Sequence, residues 1–189
     1  MQCKWRCATT LKGRYRYLTA ALWRKQAVVD AGGWKADQPC CQEHELYARM
    51  LMAGKRFAFC PHPGAVYRQW SEGTVCKRDK AETHRRRLEI ESRVENFLRQ
   101  RNELTPERLQ AINQARFEIA RMAWGYSPAQ AGEIMRTVRR AQPDFLPNGA
   151  AAPPRYQWAY RMLGFALAER LAHWQRKLWR PERAVPELS

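Results

Sequence analysis

From Lys77 onward the apolar residues of this chain recur at helical spacing, while strand signals are confined to two short runs nearer the start. The runs are Tyr17–Trp23 (YLTAALW) and Phe57–Cys60 (FAFC), the second closed by Pro61 and Pro63. Two or three strands over about 60 residues do not make an independently stable sheet with both faces covered. The mixed region, about residues 15–76, therefore reads as one half of a larger α/β layer, with a nearly all-helical remainder behind it.

Within the mixed region, Arg24–Asp30 is helix-like with Ala27 and Val28 turned inward, and Gly32-Gly33 ends it. Trp34 then sits on a tight turn, as a hydrophobic plug or as a ring lining a substrate site. Pro39 precedes a second helix that carries Glu43 and Glu45 in its first turn, where exposed N–H groups favour carboxylates. Leu46, Met50 and Leu51 share one face of it, and Gly54 is its C′ residue. An aromatic-basic loop with Tyr67, Arg68 and Trp70 follows. Carboxylates at a half-buried helix start beside such a loop look like one wall of a pocket.

The remainder is expected to hold four helices. Lys77–Arg101 has an interrupted stripe of Leu88, Val94, Phe97 and Leu98, with Arg85-Arg86-Arg87 on a solvated face. Thr105-Pro106 opens the next, which buries Leu109, Ile112, Ile119 and Ala123 with Arg116 interrupting. Ser127-Pro128-Ala129-Gln130 is a capping box for a third, running to about Arg140 through Ala131, Ile134, Met135 and Val138. After a Pro/Gly/Ala linker over 142–154, Tyr156, Tyr160, Leu163, Leu167, Leu171, Trp174 and Leu178 form one long stripe. That last helix could pack on its neighbours, lie in an anionic membrane surface, or meet a partner protein. The domain reading is 1–78, 79–141 as a helical extension, the linker at 142–154, and the amphipathic helix 155–180.

A net charge of +16 suits a phosphate-rich partner such as nucleic acid, anionic lipid or a nucleotide. No helix-turn-helix, zinc-finger or RNP-like pattern accompanies it, so nucleic acid is the weakest of the three. No apolar run approaches the ~18–20 residues that cross a bilayer, and Met1–Arg6 leads straight into mixed sequence without the form of a signal peptide. The six cysteines show no disulfide framework, and Cys3 and Cys7 have no second pair at metal-ligand spacing, so free thiols in a reducing compartment are expected. There is no G-x-G-x-x-G, P-loop or H-E-x-x-H. Glu43-His44-Glu45 cannot readily converge on a metal, because consecutive helical residues point about 100° apart. No metal ligand is assigned. A carboxylate acting as general base needs no metal, and Glu43 suits that task, with capping of the helix as its plain alternative.

Leu18–Trp34 (LTAALWRKQAVVDAGGW), Gln42–Phe59 (QEHELYARMLMAGKRFAF) and Val66–Thr74 (VYRQWSEGT) resemble, in order and spacing, the carboxy-terminal half of the catalytic domain of family 2 glycosyltransferases. Those are inverting enzymes of the GT-A fold that use nucleotide-diphospho-sugars, many of them in cell-envelope polysaccharide biosynthesis. The resemblance implies an α/β, partial GT-A domain over residues 1–78. It assigns Glu43 as catalytic base, and Trp34, Gln42 and Glu45 to the acceptor side. Tyr67, Arg68 and Trp70 go to the loop over the nucleotide diphosphate. Gln42 stands where relatives carry an acid, and Trp70 where many carry a histidine. The Q-x-x-R-W signature of processive synthases is absent.

The nucleotide-binding half and its D-x-D-like motif, which holds Mg2+ or Mn2+, are missing before Leu18. The expectation is a fragment, inactive alone, with no cofactor in this chain and a metal implied for a complete enzyme. Its partners there would be a nucleotide-diphospho-sugar and a glycan or lipid-linked acceptor. Its location would be cytoplasmic, with an anionic membrane surface touched through 155–180. The alternative is a basic membrane-peripheral or protein-interaction module without catalysis.

Overall fold

The computed structural model describes residues 22–57 and 79–178, and every regular element among them is a helix. The chain divides into two compact units between Arg116 and Phe117.

In the first unit, α1 (Lys25–Asp30) and α2 (Gln42–Met52) close in the same way. Gly32 and Gly33 donate back to the carbonyls of Val29 and Val28 at 2.8 and 2.9 Å, and Gly54 and Lys55 to those of Leu51 and Met50, both at 2.9 Å. This paired closure needs a left-handed residue at C′, which Gly32 (φ 82°) and Gly54 (φ 74°) supply at no steric cost. The spacing of Leu46, Met50 and Leu51 is borne out, since all three are buried. α3 (Lys80–Gln100) begins at Asp79, whose carboxylate accepts the Glu82 N–H at 2.8 Å. The core joins Cys40, Cys41 and Ala48, around the start of α2, to Ile90, Val94 and Leu98 of α3 and Ile112 of α4 (Pro106–Trp124). α4 opens as expected, with Pro106 as its first residue and the Thr105 carbonyl accepting from Leu109 at 2.9 Å.

The second unit contains the end of α4, α5 (Pro128–Ala141) and α6 (Pro154–Leu178). Ser127 Oγ caps α5 by accepting the Gln130 N–H, and α5 buries Ala131, Ile134, Met135 and Val138, the four residues its spacing indicates. Phe117 is completely buried, with Phe145, Tyr156, Tyr160 and Phe165 around it at ring-centroid distances of 5.8–6.2 Å, mostly edge to face. α6 is not one straight helix. It breaks at Gly164, whose φ of 76° and ψ of 176° are foreign to a helix.

These helices overturn the α/β, partial GT-A reading. The two strand-like runs lie mostly outside the described residues, and the parts within them (Leu22, Trp23 and Phe57) form no strand. More telling is what α2 leans on. Cys40 and Cys41 just before it and Ala48 within it pack on α3 and α4, helix on helix, with no strand among the described residues. The Ala53-Gly54 stop that carried part of the resemblance is a general way to end a helix and does not depend on a sheet. Without a sheet among the described residues there is no support for a glycosyltransferase activity, for a nucleotide-sugar donor or for its acceptor. No helix of the described residues is long and apolar enough to cross a membrane.

Candidate interaction surface

Not all of the residues assigned to a sugar-transfer site fall among the described ones. Tyr67, Arg68 and Trp70 lie outside the described residues. Gln42 begins α2 and donates from its amide to the Pro39 carbonyl at 3.2 Å, an end-of-helix contact. Glu43 is half-buried one residue further on. Trp34, 47% exposed, sets its ring edge-on to Trp23 at 6.2 Å, and Trp23 in turn stacks on Tyr47 at 5.0 Å.

Glu45 is the one assigned residue with a dense polar environment. Its carboxylate is 1% exposed and takes Arg49 Nε at 2.7 Å on one oxygen, and Lys35 Nζ and Arg93 Nη1, both at 3.0 Å, on the other. Arg49 also donates to the carbonyls of Ala31 and Gly33, so one guanidinium ties the end of α1 to α2. Burial alone would raise the Glu45 pKa. Hydrogen bonds from Arg49, Lys35 and Arg93 outweigh it and hold the carboxyl below its ordinary range. A carboxylate so held is a poor proton acceptor for a substrate hydroxyl. It is a structural anchor.

Two further buried carboxylates follow the same design. Glu95 meets Arg116 Nη1 at 2.6 Å and Arg99 Nη2 at 2.7 Å. Arg116 therefore does not interrupt the buried face of α4; it belongs to that face, 4% exposed, with a carboxylate waiting for it. In the second unit Glu169, fully buried, pairs with Arg121, and Arg176 stands 3.6 Å away. Arg121 also donates to the Ala151 carbonyl and lies 4.2 Å over the Tyr156 ring. Burial, reinforced by the charge of Glu169, pushes the Tyr156 hydroxyl pKa up.

No group of three or more His, Cys, Asp or Glu side chains among the described residues could hold a metal ion. In α2 Glu45 points inward while His44 is exposed, as the 100° step between them requires. The Mg2+ or Mn2+ implied by the glycosyltransferase resemblance has no support here.

Among the described residues, α6 carries a row of large apolar side chains that stays unburied. Tyr156 and Tyr160 face the core, 6% and 5% exposed, and so do Phe165, Ala168 and Glu169. Leu163, Leu167, Leu171 and Trp174 do not; they are 44–65% exposed. The single stripe read from the sequence is thus divided. The helix breaks at Gly164; of the stripe's residues Tyr156 and Tyr160 are core, and Leu163, Leu167, Leu171 and Trp174 are surface. This also removes the basis for a membrane surface as partner of 155–180, which needs one continuous apolar face with the tyrosines at head-group depth. The signal for the break was present: Gly164 is the one glycine in a 25-residue helix.

No protein-family model matches this chain, no curated protein matches it in sequence, and no solved structure matches its fold.

Proposed function

We propose that this chain is a non-catalytic, basic protein-interaction module whose docking surface is the outer face of the second half of α6. The observation that carries the reading is the row Leu167, Leu171 and Trp174, spaced four and three apart and 45–65% exposed. Side chains of this size in register on one helix are the recognition pattern of helix-mediated contacts. The fate of the carboxylates supports it from the other side. Glu45, Glu95 and Glu169 are committed to internal ion pairs. Buried thiols at Cys40 and Cys41, the second donating to the Thr83 carbonyl, suit work in the reducing cytoplasm.

The test is a photo-crosslinking amino acid placed at Leu171, with Arg136 on α5, whose side chain is 72% exposed, as the control position. A discrete adduct is expected in source cells from position 171 and not from 136. Excess unlabelled wild-type chain should compete it away, and an L167E/L171E variant should not. Adducts at equal yield from both positions, or none from 171, would overturn the reading.

A further inference from the structure

The exposed face of α6 also specifies the chemistry of what covers it, an inference that rests on the interaction-module reading above. Phe165, Ala168 and Glu169 are buried within the second unit, so one side of this helix is already occupied. A partner cannot wrap the helix; it must lie alongside. Leu167, Leu171 and Trp174 recur at i, i+4 and i+7, the spacing with which one helix seats against another.

Charge narrows the choice. α6 contains Arg155, Arg161, Arg170, Arg176, Lys177 and a single carboxylate, Glu169. That carboxylate is buried and already paired, so the helix offers solvent no negative group. Arg170 is exposed one position before Leu171, at the edge of the apolar row, whereas Arg176 lies on the opposite side of the helix, 3.6 Å from Glu169. Earlier in the helix, exposed Trp158 and Met162 have Arg155 and Arg161 on either side of them at helical spacing. A second copy of this chain would set these cations against one another in parallel or antiparallel pairing. The chain's own remaining segments are no better matched. Residues 1–21 hold Lys4, Arg6, Lys12, Arg14 and Arg16 with no acid, residues 58–78 hold one acid, Glu72, and in 179–189 acids and bases cancel. We infer that the occupant is an amphipathic helix of another protein, apolar along one stripe and acidic along the edge that meets Arg170.

Two fluorescein-labelled helical peptides test this by anisotropy against the full chain. Both carry Leu at i, i+3, i+4 and i+7; one has Glu along the edges and the other Lys. The Glu-edged peptide should bind saturably and at least about tenfold more tightly, and should weaken by about tenfold between 50 and 500 mM NaCl. L171A/W174A should lower its affinity at least about tenfold with an unchanged circular dichroism spectrum. R170E should reduce the preference for Glu edges. Equal affinity for the two peptides, or no loss in L171A/W174A, would overturn the inference. So would a concentration-dependent dimer that L171E abolishes in sedimentation, or phosphatidylserine-vesicle binding that L171E abolishes. If the crosslink from position 171 forms while the Glu-edged peptide fails, the partner chemistry is wrong and the interaction module stands. If both fail, the module falls too.

Discussion

Replacing Glu45 by glutamine tests whether this residue is an internal anchor. The exchange keeps shape and one acceptor oxygen but removes the charge that faces Arg49, Lys35 and Arg93. The three cations do not lose equally. Lys35 and Arg93 side chains are 40% and 41% exposed, so they return to water, and each pair contributes at most about 1 kcal/mol. Arg49 is 16% exposed and held in place by its bonds to the Ala31 and Gly33 carbonyls. Its charge-assisted bond to Glu45 contributes about 1.5–3 kcal/mol, and the cation stays where it is when that bond weakens. The expected loss is about 2–4 kcal/mol, confined to the first unit.

Hydrogen exchange by mass spectrometry reads this directly. Protection of peptides covering α1 and α2 should fall at least about thirtyfold, while peptides from α5 and the first half of α6 serve as the internal reference. The pH dependence gives a second reading with a fixed sign. The folded-state pKa of Glu45 lies below its unfolded value, so its stabilisation is complete above that unfolded value and disappears as pH falls through the folded one. Wild-type α1–α2 protection should therefore fall on acidification below about pH 4.5 more steeply than that of Glu45→Gln. A change of under about 0.5 kcal/mol at pH 7 would refute the anchor role and leave Glu45 as an ordinary surface-type carboxylate.

Phe117→Ala empties the centre of four aromatic contacts and should cost about 3–5 kcal/mol, read as lost near-UV circular dichroism and lost protection in α5 and α6. Gly164→Ala forces a side chain into a backbone region that disfavours it. The new Cβ meets only the mobile end of Arg139, at 3.3 Å, so backbone strain of about 1–3 kcal/mol should dominate and lower the thermal midpoint by several degrees. Burial, helped by the charges of Arg87 and Lys80, lowers the pKa of His84, which is 6% exposed. Because the folded value is the lower one, first-unit stability should decline as pH falls below about 6.5, in urea titrations at pH 7.5 and 5.5, and His84→Gln should flatten that decline.

Local rules in the sequence were read well, and inferences that needed a long-range partner were not. Thr105-Pro106, Ser127-Pro128, Gly54 and the buried face of α5 follow from capping and period, which are properties of a few neighbouring residues. The cap at Asp79 was equally legible, as Asp followed three residues later by Glu82, and places the start of α3 at Lys80 rather than Lys77. The α/β expectation failed differently. A helix that stops at Ala53-Gly54 and is followed by Phe57 is compatible with a sheet or with other helices, and only Ile90, Val94, Leu98 and Ile112 decide between them. Glu45 and Glu169 illustrate the same limit for the site. A charged residue in the first turn or on a polar-looking face carries no sign of burial until the arginines that meet it, 48 residues away in Arg93 and in Arg121, are known.

The uneven use of carboxylates explains why a charge of +16 need not mean a uniformly basic particle. On α3 the run Arg85-Arg86-Arg87 is the most conspicuous basic feature of the sequence. Yet Glu82 bonds Arg85 and Arg86 at 2.6 and 2.8 Å, and Glu89 bonds Arg85 as well, so two of the three arginines are offset on the helix that bears them. These contacts pull the Glu82 pKa down to about 2, led by the hydrogen bonds from Arg85 and Arg86, so the compensation persists through the neutral range. On α6 the one carboxylate is turned inward and takes Arg121 with it, which leaves Arg155, Arg161 and Arg170 exposed and without an acid on their own helix. Exposed cations attract an acidic partner in proportion to what their neighbours leave uncancelled, not to their number in the sequence. By that measure the α6 face, with its leucines and tryptophan beside the uncompensated Arg170, is the place where an acidic helix would be held. The arginine run is a solvated flank.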